Sequence, residues 1–517
     1  MRAQRECYAG QNNTAIPMQN GTVLAAVDLG SNSFRLEIVR LDHEQFERTE
    51  YLKETIRQGN GLDAERNLSA DAMQRGWDCL ARFGERLAGF KKNQVRAVAT
   101  QTLREARNRD VFLARANDIL GFPIDVISGR EEARLIYRGV AKMLPQSPER
   151  RLVADIGGRS TELILGVGFE PTTMESYRVG SIAWSTRYFS DGQFTKSAFQ
   201  MAEIAAKAVF DEALNAYRRD SWDVAYGSAG TIGAVGDVLV AGGWPAGSVS
   251  KAGLDWLLGK LLEAQSADKL RLPGMKEDRR SIIGGGVSIL RALFDLLQID
   301  TMQSAAGGLR HGLLCDLVGS SDNGHDIRSQ SVQRLASKFD VDTVHGTRVG
   351  KVATALFAQV KPAGASQPEL ERNMRKLKWA ASVHEIGTQI SHSDSHKHGA
   401  YILDNSDAMG FALAELHRLS LLILGQRGKL RKLEPHFEDD LFVLQLLSLR
   451  LSIILCHARR EPDIAGLSLV REPGQERRYT LKSRAGWVNA YPQSAHLLRE
   501  ETLAWQKTPW TFVFAPT

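Results

Sequence analysis

Apolar and polar positions alternate in short runs through the first 145 residues, and between those runs apolar residues recur at helical spacing. "TVLAAVDLG", "SFRLEIVRL" and "QFERTEYLKET" are predicted as three consecutive strands, the first two joined by a turn around Gly30. Ser69 is placed to cap a helix reaching to about Phe90. Strand "VRAVAT", helix "TLREARNRDVFLARANDIL", strand "PIDVIS" and helix "REEARLIYRGVAKML" follow. After the loop "PQSPER" the order begins again, with strands "RLVADIGG", "STELILGV" and "TTMESYRV", a long helix near 195–219, strand "WDVAYG" and helices to about 320. The two runs read as an internal repeat offset by 155 − 28 = 127 residues at their aspartates, hence as two facing α/β halves.

From about 325 the pattern changes. "SVQRLASKF", "HGTRVGKVATALFAQV", "ELERNMRKLKWAASVHEI" and "FALAELHRLSLLIL" carry apolar residues at helical spacing with little strand signal. Beyond about 440 a long helix is joined by "IAGLSLVRE", "RRYTLKSR" and "TPWTFVFA", which read as strands of a small α/β cap. The expected domains are therefore 1–145, 146–324, 325–440 and 441–517, in keeping with 517 residues at roughly 100–200 per domain.

Composition narrows the class. With 43% hydrophobic and 24% charged residues the chain can bury large cores, as soluble enzymes do. The first twenty residues lack the apolar core of a signal peptide, and the most apolar stretch, "LFVLQLLSLRLSIILCHA", is interrupted by Gln445 and Arg450. Neither export nor a membrane span is predicted. Four cysteines, Cys7, Cys79, Cys315 and Cys456, include no CxxC pair, so neither a zinc site nor a disulfide framework is indicated and a reducing cytoplasm fits. A net charge of +6 suits polyanions without naming one, and no nucleic-acid module is recognisable.

Chemistry concentrates in the turns. "DLGSNS" (28–33) and "DIGGRST" (155–161) place Gly and Ser between two strands, a nest of N–H groups and hydroxyls suited to phosphate oxygens, with an Asp at the strand end able to hold a divalent cation. One such turn alone is an ordinary tight hairpin; two at matching places in a repeat point to opposed phosphate grips. A third, "GSAGTI" (227–232), opens a helix whose positive N-terminus favours anions.

The ordered motifs "DLGSNS", "VRAVATQTLREARN", "ISGREEARL", "DIGGRSTEL", "GSAGTI" and "SAAGGLRHGLL" resemble those of the exopolyphosphatase and guanosine pentaphosphate phosphohydrolase family. That family belongs to the actin-like phosphotransferase superfamily, and the resemblance covers about 300 residues. It implies two actin-like (ribonuclease H-like) α/β domains, then a helical HD-like domain and a small C-terminal α/β domain. It assigns the catalytic base to Glu131, with its neighbour Glu132 as the alternative. Asp155, Glu162 and Asp28 become the Mg2+ ligands, with K+ as an additional monovalent candidate. Gly30, Ser31, Asn32, Ser33, Gly157, Gly158, Ser160, Thr161, Gly227, Ser228, Gly230 and Thr231 become the phosphate cradle, and Arg35 and Arg104 supply positive charge. A cytoplasmic homodimer is implied, with a peripheral position at the inner membrane as a variant.

Arg159 departs from the family's Asp-x-Gly-Gly-Gly-Ser, where the third glycine permits positive φ, so strain or a direct phosphate contact is expected there. In the helical region His345 and His384-Glu385 resemble the HD metal pattern, with His392, His396 and His398 nearby. A Glu stands where the ligating Asp would be, and core and loop histidines are the favoured reading. Of the substrates the resemblance offers, inorganic polyphosphate is favoured, because basic runs at 372–378 and 427–432 suit an extended polyanion. Guanosine pentaphosphate is the alternative, and a non-enzymatic nucleotide-binding scaffold a third reading.

Overall fold

A computed structural model describes residues 20–43, 45–319, 327–362, 366–475 and 477–516. Cys7, most of the N-terminal stretch and the expected boundary near 325 lie outside the described residues. The chain divides into two compact units, 1–325 and 326–517.

The first unit holds two sheets. The first is built from β1 (Val23–Leu29), β2 (Ser33–Asp42), β3 (Gln45–Thr55), β4 (Val95–Ala99) and β5 (Ile124–Val126), with helices α1 (Ala70–Arg86), α2 (Gln101–Glu105), α3 (Arg109–Leu120) and α4 (Gly129–Lys142). The second uses β6 (Arg150–Ile156), β7 (Thr161–Val167), β8 (Glu170–Tyr177), β9 (Val224–Ser228), β10 (Ser248–Ser250) and β11 (Thr301–Ser304). Its helices are α5 (Ser181–Tyr188), α6 (Lys196–Phe210), α7 (Ala229–Ala241), α8 (Lys251–Ala264), α9 (Ile283–Leu296) and α10 (Leu309–Gly319).

Strand order β3-β2-β1-β4-β5 in one sheet reappears as β8-β7-β6-β9-β11 in the other, with β10 added at the edge. In both, the first three strands are antiparallel and the next two parallel, so the repeat read in the sequence is a repeat of topology. The central strand β1 is a near-continuous apolar run because both its faces are covered, whereas the edge strand β3 is largely polar and open.

The helices that end each run are exchanged between the sheets. Ala133, Ile136, Tyr137 and Val140 of α4 pack on Val153, Ile164 and Tyr226 of the second sheet. Leu313 and Leu314 of α10 pack on Leu24, Ala26, Val39 and Val98 of the first. Where the two helices cross, a Cβ at Gly312 would stand 1.9 Å from the Leu135 carbonyl oxygen and one at Gly139 would stand 2.0 Å from that of Gly308. Only glycine permits that approach.

Some local expectations change. "TLREARNRDVFLARANDIL" forms two helices, because Asn108 leaves the helical path to exchange two hydrogen bonds with the backbone of Leu68, 2.8 and 3.0 Å. The helix expected to 219 ends at Phe210, and the following turns bury Tyr217, whose hydroxyl donates to the Leu163 carbonyl at 2.7 Å. β10 and β11, of three and four residues, are too short to leave an alternation that can be read. Ser69 caps α1 as expected, accepting from the Ala72 N–H.

The second unit comprises α11 (Ile327–Lys338), α12 (Thr343–Val360), α13 (Gln367–Ser382), α14 (Ser395–Asp404), α15 (Leu413–Gly425), α16 (Asp440–Leu455), α17 (Trp487–Ala490), α18 (Pro492–Trp505) and a sheet ordered β12 (Leu467–Arg471), β13 (Arg478–Ser483), β14 (Thr511–Pro516). The expected C-terminal strands form, but one core runs from Val332 to Phe514, so they share the helices' core instead of closing a cap of their own. Arg450, which breaks the apolar run of α16, is buried against both carboxylate oxygens of Glu501. Among the described residues no helix is long and apolar enough to cross a membrane.

Candidate active site

A cleft of about 310 Å³ opens in the first unit where three turns meet. Gly30, Ser31, Asn32 and Ser33 of the β1–β2 turn face Gly157, Gly158 and Ser160 of the β6–β7 turn, and Ser228, Gly230 and Thr231 at the head of α7 complete the wall. A Cβ added at Gly158 would lie 3.4 Å from the Cβ of Ser31, so the two hairpins sit at contact range. Hydrogen bonds set their shapes. The Gly157 N–H donates to the Ser160 carbonyl at 2.9 Å, and the Asn32 carbonyl accepts from Ile56 and Arg57. Thr231 Oγ1 donates to the Ile156 carbonyl, tying α7 to the end of β6. Ala229 starts α7 with φ +69°, a left-handed conformation costly for a side-chain-bearing residue and held here at the cleft wall.

Arginines ring the cleft. Arg35 and Arg310 each approach Asp28 at 3.8 Å, and Arg159 and Arg279 also line the wall. The Nε atoms of Arg35 and Arg159 are buried with no hydrogen-bond partner. An unmet buried donor is costly. Burial, reinforced by the neighbouring Arg35 charge, holds Arg279 below its usual pKa against the pull of Asp278. Each of these arginines has an acidic neighbour, Asp28 for Arg35 and Arg310, Glu105 for Arg159 and Asp278 for Arg279.

Acids line the same cleft. Ser128 caps α4 by accepting from the Glu131 N–H, and the two glutamates then diverge. Both carboxylate oxygens of Glu131 accept from Arg134, at 2.8 and 2.7 Å, in a buried network that includes Asp316. Glu132 lines the cleft, and its Oε2 accepts from Arg104 at 2.8 Å. Glu131, expected to meet the substrate, does not line the cleft: successive helical residues point about 100° apart, and Arg134, one turn on, engages both its oxygens. Burial pushes Glu132 above the ordinary carboxylate range, Arg104 opposing and Asp28 adding to the shift.

Other expected residues also stand behind the wall. Arg104 is occupied by Glu132, the Ile127 carbonyl and Gln101, and it supports Glu132 instead of lining the cleft. Thr161 donates its hydroxyl to the Val179 carbonyl at 2.6 Å. Gly227 lies beneath Met302 and Ile232. Glu162, paired across the strands with Asp155, accepts from Ser176 and is 1% exposed. Arg279, Arg310 and Tyr51 line the cleft without having been singled out by spacing, since they arrive from distant segments.

Four carboxylates, Asp28, Glu132, Asp155 and Glu162, share this buried region. Asp155 is pushed up to about 6 by burial, against a Ser228 hydrogen bond and with added repulsion from Glu132 and Asp28. Glu162 is raised by burial and by the charges of Glu132 and Asp155. Such mutual repulsion among hard oxygen donors fits a divalent cation. Among the described residues no three of these carboxylates bring ligand atoms within 4.8 Å of one another; Mg2+ needs only one or two carboxylates, with waters and substrate phosphates completing its shell.

Arg159 does not take a positive φ, so the expected strain is absent. Its side chain reaches to the first sheet's side of the cleft, where NH2 donates to Glu105 Oε2 at 2.8 Å and NH1 to the Gly59 carbonyl at 3.1 Å. Gly180 makes room for the turn, since a Cβ there would lie 2.3 Å from the Arg159 nitrogen.

In the second unit the ligand atoms of His345, His384 and Glu385 lie within 4.8 Å of one another. Two guanidiniums already serve this cluster: Arg459 pairs with Glu385 and Asp342, and Arg348 NH1 is 3.3 Å from His345 Nδ1. The positive charge a cation would bring is supplied by side chains. His392, His396 and His398 are not part of the cluster.

Comparison with known proteins identifies the family. Residues 38–321 match the Ppx/GppA phosphatase family, and residues 327–502 match Ppx/GppA phosphatase, domain III. A guanosine-5'-triphosphate,3'-diphosphate pyrophosphatase of Vibrio cholerae serotype O1 is 37% identical over 473 residues, 90% of this chain and 93% of that protein. One of the same description from Aeromonas hydrophila subsp. hydrophila is 36% identical over 498 residues, 95% and 99% of the two chains. Among solved structures, an exopolyphosphatase from Cytophaga hutchinsonii superposes with a TM-score of 0.53 over 59% of this chain and 100% of its own, at 22% identity, a likeness of fold alone.

Proposed function

The chain belongs to the Ppx/GppA phosphatase family, and we propose that it hydrolyses the terminal phosphoanhydride of guanosine pentaphosphate, with Glu132 as general base. The observation that carries the chemistry is the placing of Glu132 on the wall of a cleft that also holds two buried arginine Nε donors without acceptors. Relatives that match over nine-tenths of both chains bear the guanosine nucleotide in their description, and this moves the substrate away from the polyphosphate expected from the basic runs. Those runs lie in a region the relatives share, so they do not separate the two substrates.

The terminal phosphate enters between the β1–β2 and β6–β7 turns, where Arg35 and Arg159 meet its oxygens. Water attacks the terminal phosphorus opposite the leaving oxygen, its proton passes to Glu132, and the bond to the bridging oxygen breaks, giving orthophosphate and guanosine tetraphosphate. A carboxylate raised by burial is better matched to that transfer than an ordinary one, because base catalysis is most effective with a pKa near the working pH. Arg104 keeps the carboxylate oriented and limits how far its pKa rises. Asp28 and Asp155, which line the cleft, are the residues that would hold Mg2+, with Glu162 buried beside Asp155 behind them; when bound, the ion would neutralise charge on the phosphate oxygens. Glu132→Gln keeps the shape and removes the basicity. Turnover of guanosine pentaphosphate is expected to fall at least about a hundredfold while nucleotide binding persists; near-normal turnover in the folded variant rejects the assignment.

A further inference from the structure

A continuous chain of hydrogen bonds joins the β6–β7 turn to Glu132. Arg159 NH2 donates to Glu105 Oε2 at 2.8 Å; Gln101 Nε2 donates to Glu105 Oε1 at 2.6 Å. Arg104 donates from Nε and NH2 to Gln101 Oε1 at 3.1 and 2.6 Å, and from NH1 to Glu132 Oε2 at 2.8 Å. Gln101, Arg104 and Glu105 stand at i, i+3 and i+4 of the five-residue α2, and so share one face.

The chemistry of each member allows one direction only. Glu105, accepting at both oxygens, takes the amide NH2 of Gln101 and turns its carbonyl toward Arg104. Arg104 carries donors alone and needs that carbonyl. A reversed Gln101 would set NH2 against N–H. Arg104 thereby presents NH1 to Glu132, and its remaining bond to the Ile127 carbonyl fixes it to the end of β5. Glu105, although burial acts to raise it, is held below the usual carboxylate range by Gln101 and Arg159, so it stays ionised and able to accept from both.

We propose that Arg159 is a positioning residue for Glu132, acting across the cleft through Glu105, Gln101 and Arg104, so that the base is aligned only when the two sheets stand at the separation that lets Arg159 reach Glu105. This rests on the reading of Glu132 as the base. Arg159 keeps its Nε free of protein partners, so it can take a phosphate oxygen without releasing Glu105 or the Gly59 carbonyl. One guanidinium then joins substrate arrival to base alignment. Gly59 leaves space for it, since a Cβ there would lie 2.9 Å from Arg159 Cδ.

Glu105→Ala and Arg159→Ala separate this role from a plain phosphate contact. Both are expected to lower kcat about tenfold, which corresponds to about 1.4 kcal/mol. Arg159→Ala should also raise KM, and Glu105→Ala should leave KM near wild type. In kcat the double variant should be no worse than the poorer single one, as for members of one network. The acid limb of the pH–kcat/KM profile should move to higher pH in each single variant, because loosened Arg104 no longer opposes protonation of Glu132. The other groups facing Glu132, Asp28 on β1, Asp155 on β6 and Glu162 on β7, are unchanged by these substitutions. Arg159→Lys, which still reaches for Glu105, should recover part of kcat, and it serves as the test if the alanine variants do not fold. An unchanged kcat and acid limb in Glu105→Ala, additive losses in the double variant, or Arg159→Lys no better than Arg159→Ala would overturn the proposal. If Glu132→Gln retains its turnover, the base reading itself has failed; if Glu132→Gln is inactive while Glu105→Ala is normal, only the positioning role has failed.

Discussion

Glu131 and Glu132 follow one another in the first turn of α4, yet Glu131 closes on Arg134 with both oxygens while Glu132 faces the cleft with Arg104 behind it. The first pairing anchors the helix. The second leaves a carboxylate beside the phosphate turns, oriented by one charged hydrogen bond and raised by burial.

The pair yields contrasting outcomes. Glu131→Gln weakens the grip on a fully buried Arg134 that still has Asp316. A loss of about 1–3 kcal/mol in denaturant unfolding is expected, with kcat retained in the folded fraction. Glu132→Gln is expected to reverse this, losing turnover and keeping stability. An inactive but fully stable Glu131→Gln would contradict the division of roles.

The acids imply a linkage between pH and Mg2+. Asp155 has its pKa raised from 3.8 to about 6, so its protonation stabilises the fold fully below 3.8 and that contribution is lost as pH rises through about 6. Mg2+ competes with the same proton. In thermal melts without substrate, Mg2+ should raise Tm more at about pH 7.5 than at about pH 5, where Asp155 is largely protonated. An equal shift at both values, or none at either, would remove Asp155 from the metal set.

The crossing of α4 and α10 sets the position of Glu132 through backbone contact. A Cβ at Gly312 would stand 1.9 Å from the Leu135 oxygen, so Gly312→Ala must part the two helices. A cost of about 1–3 kcal/mol or more in stability is expected, with reduced turnover because Glu132 rides on α4. Wild-type stability and turnover in this variant would show that the helices do not fix the site.

Much of this was legible in the chain. The Gly-Ser turns, the repeat and the order of strands follow from apolar runs punctuated by turn residues, and the structure brings both aspartates and most of the cradle to one cleft. What the spacing left open depends on three dimensions. Which of two adjacent glutamates faces the cleft is decided by Arg134 and Arg104, and no linear pattern ranks them. Arg279 and Arg310 arrive at the wall from segments far from the turns they face. Arg159 stands where a glycine is expected, and its bonds with Glu105 and Gly59 depend on segments distant in the sequence; the exchange of α4 and α10 between sheets is invisible to a reading that ends each domain where its strands end.

The most direct measurement is orthophosphate release by the purified protein, with Mg2+, from guanosine pentaphosphate and from long-chain polyphosphate in parallel, using wild type and Glu132→Gln. The expected result is a kcat/KM for guanosine pentaphosphate at least about tenfold above that for polyphosphate chain ends, a difference of about 1.4 kcal/mol in transition-state binding, with release from both lowered at least about a hundredfold in Glu132→Gln. Polyphosphate preferred by wild type, or near-normal release from guanosine pentaphosphate in folded Glu132→Gln, would contradict the account.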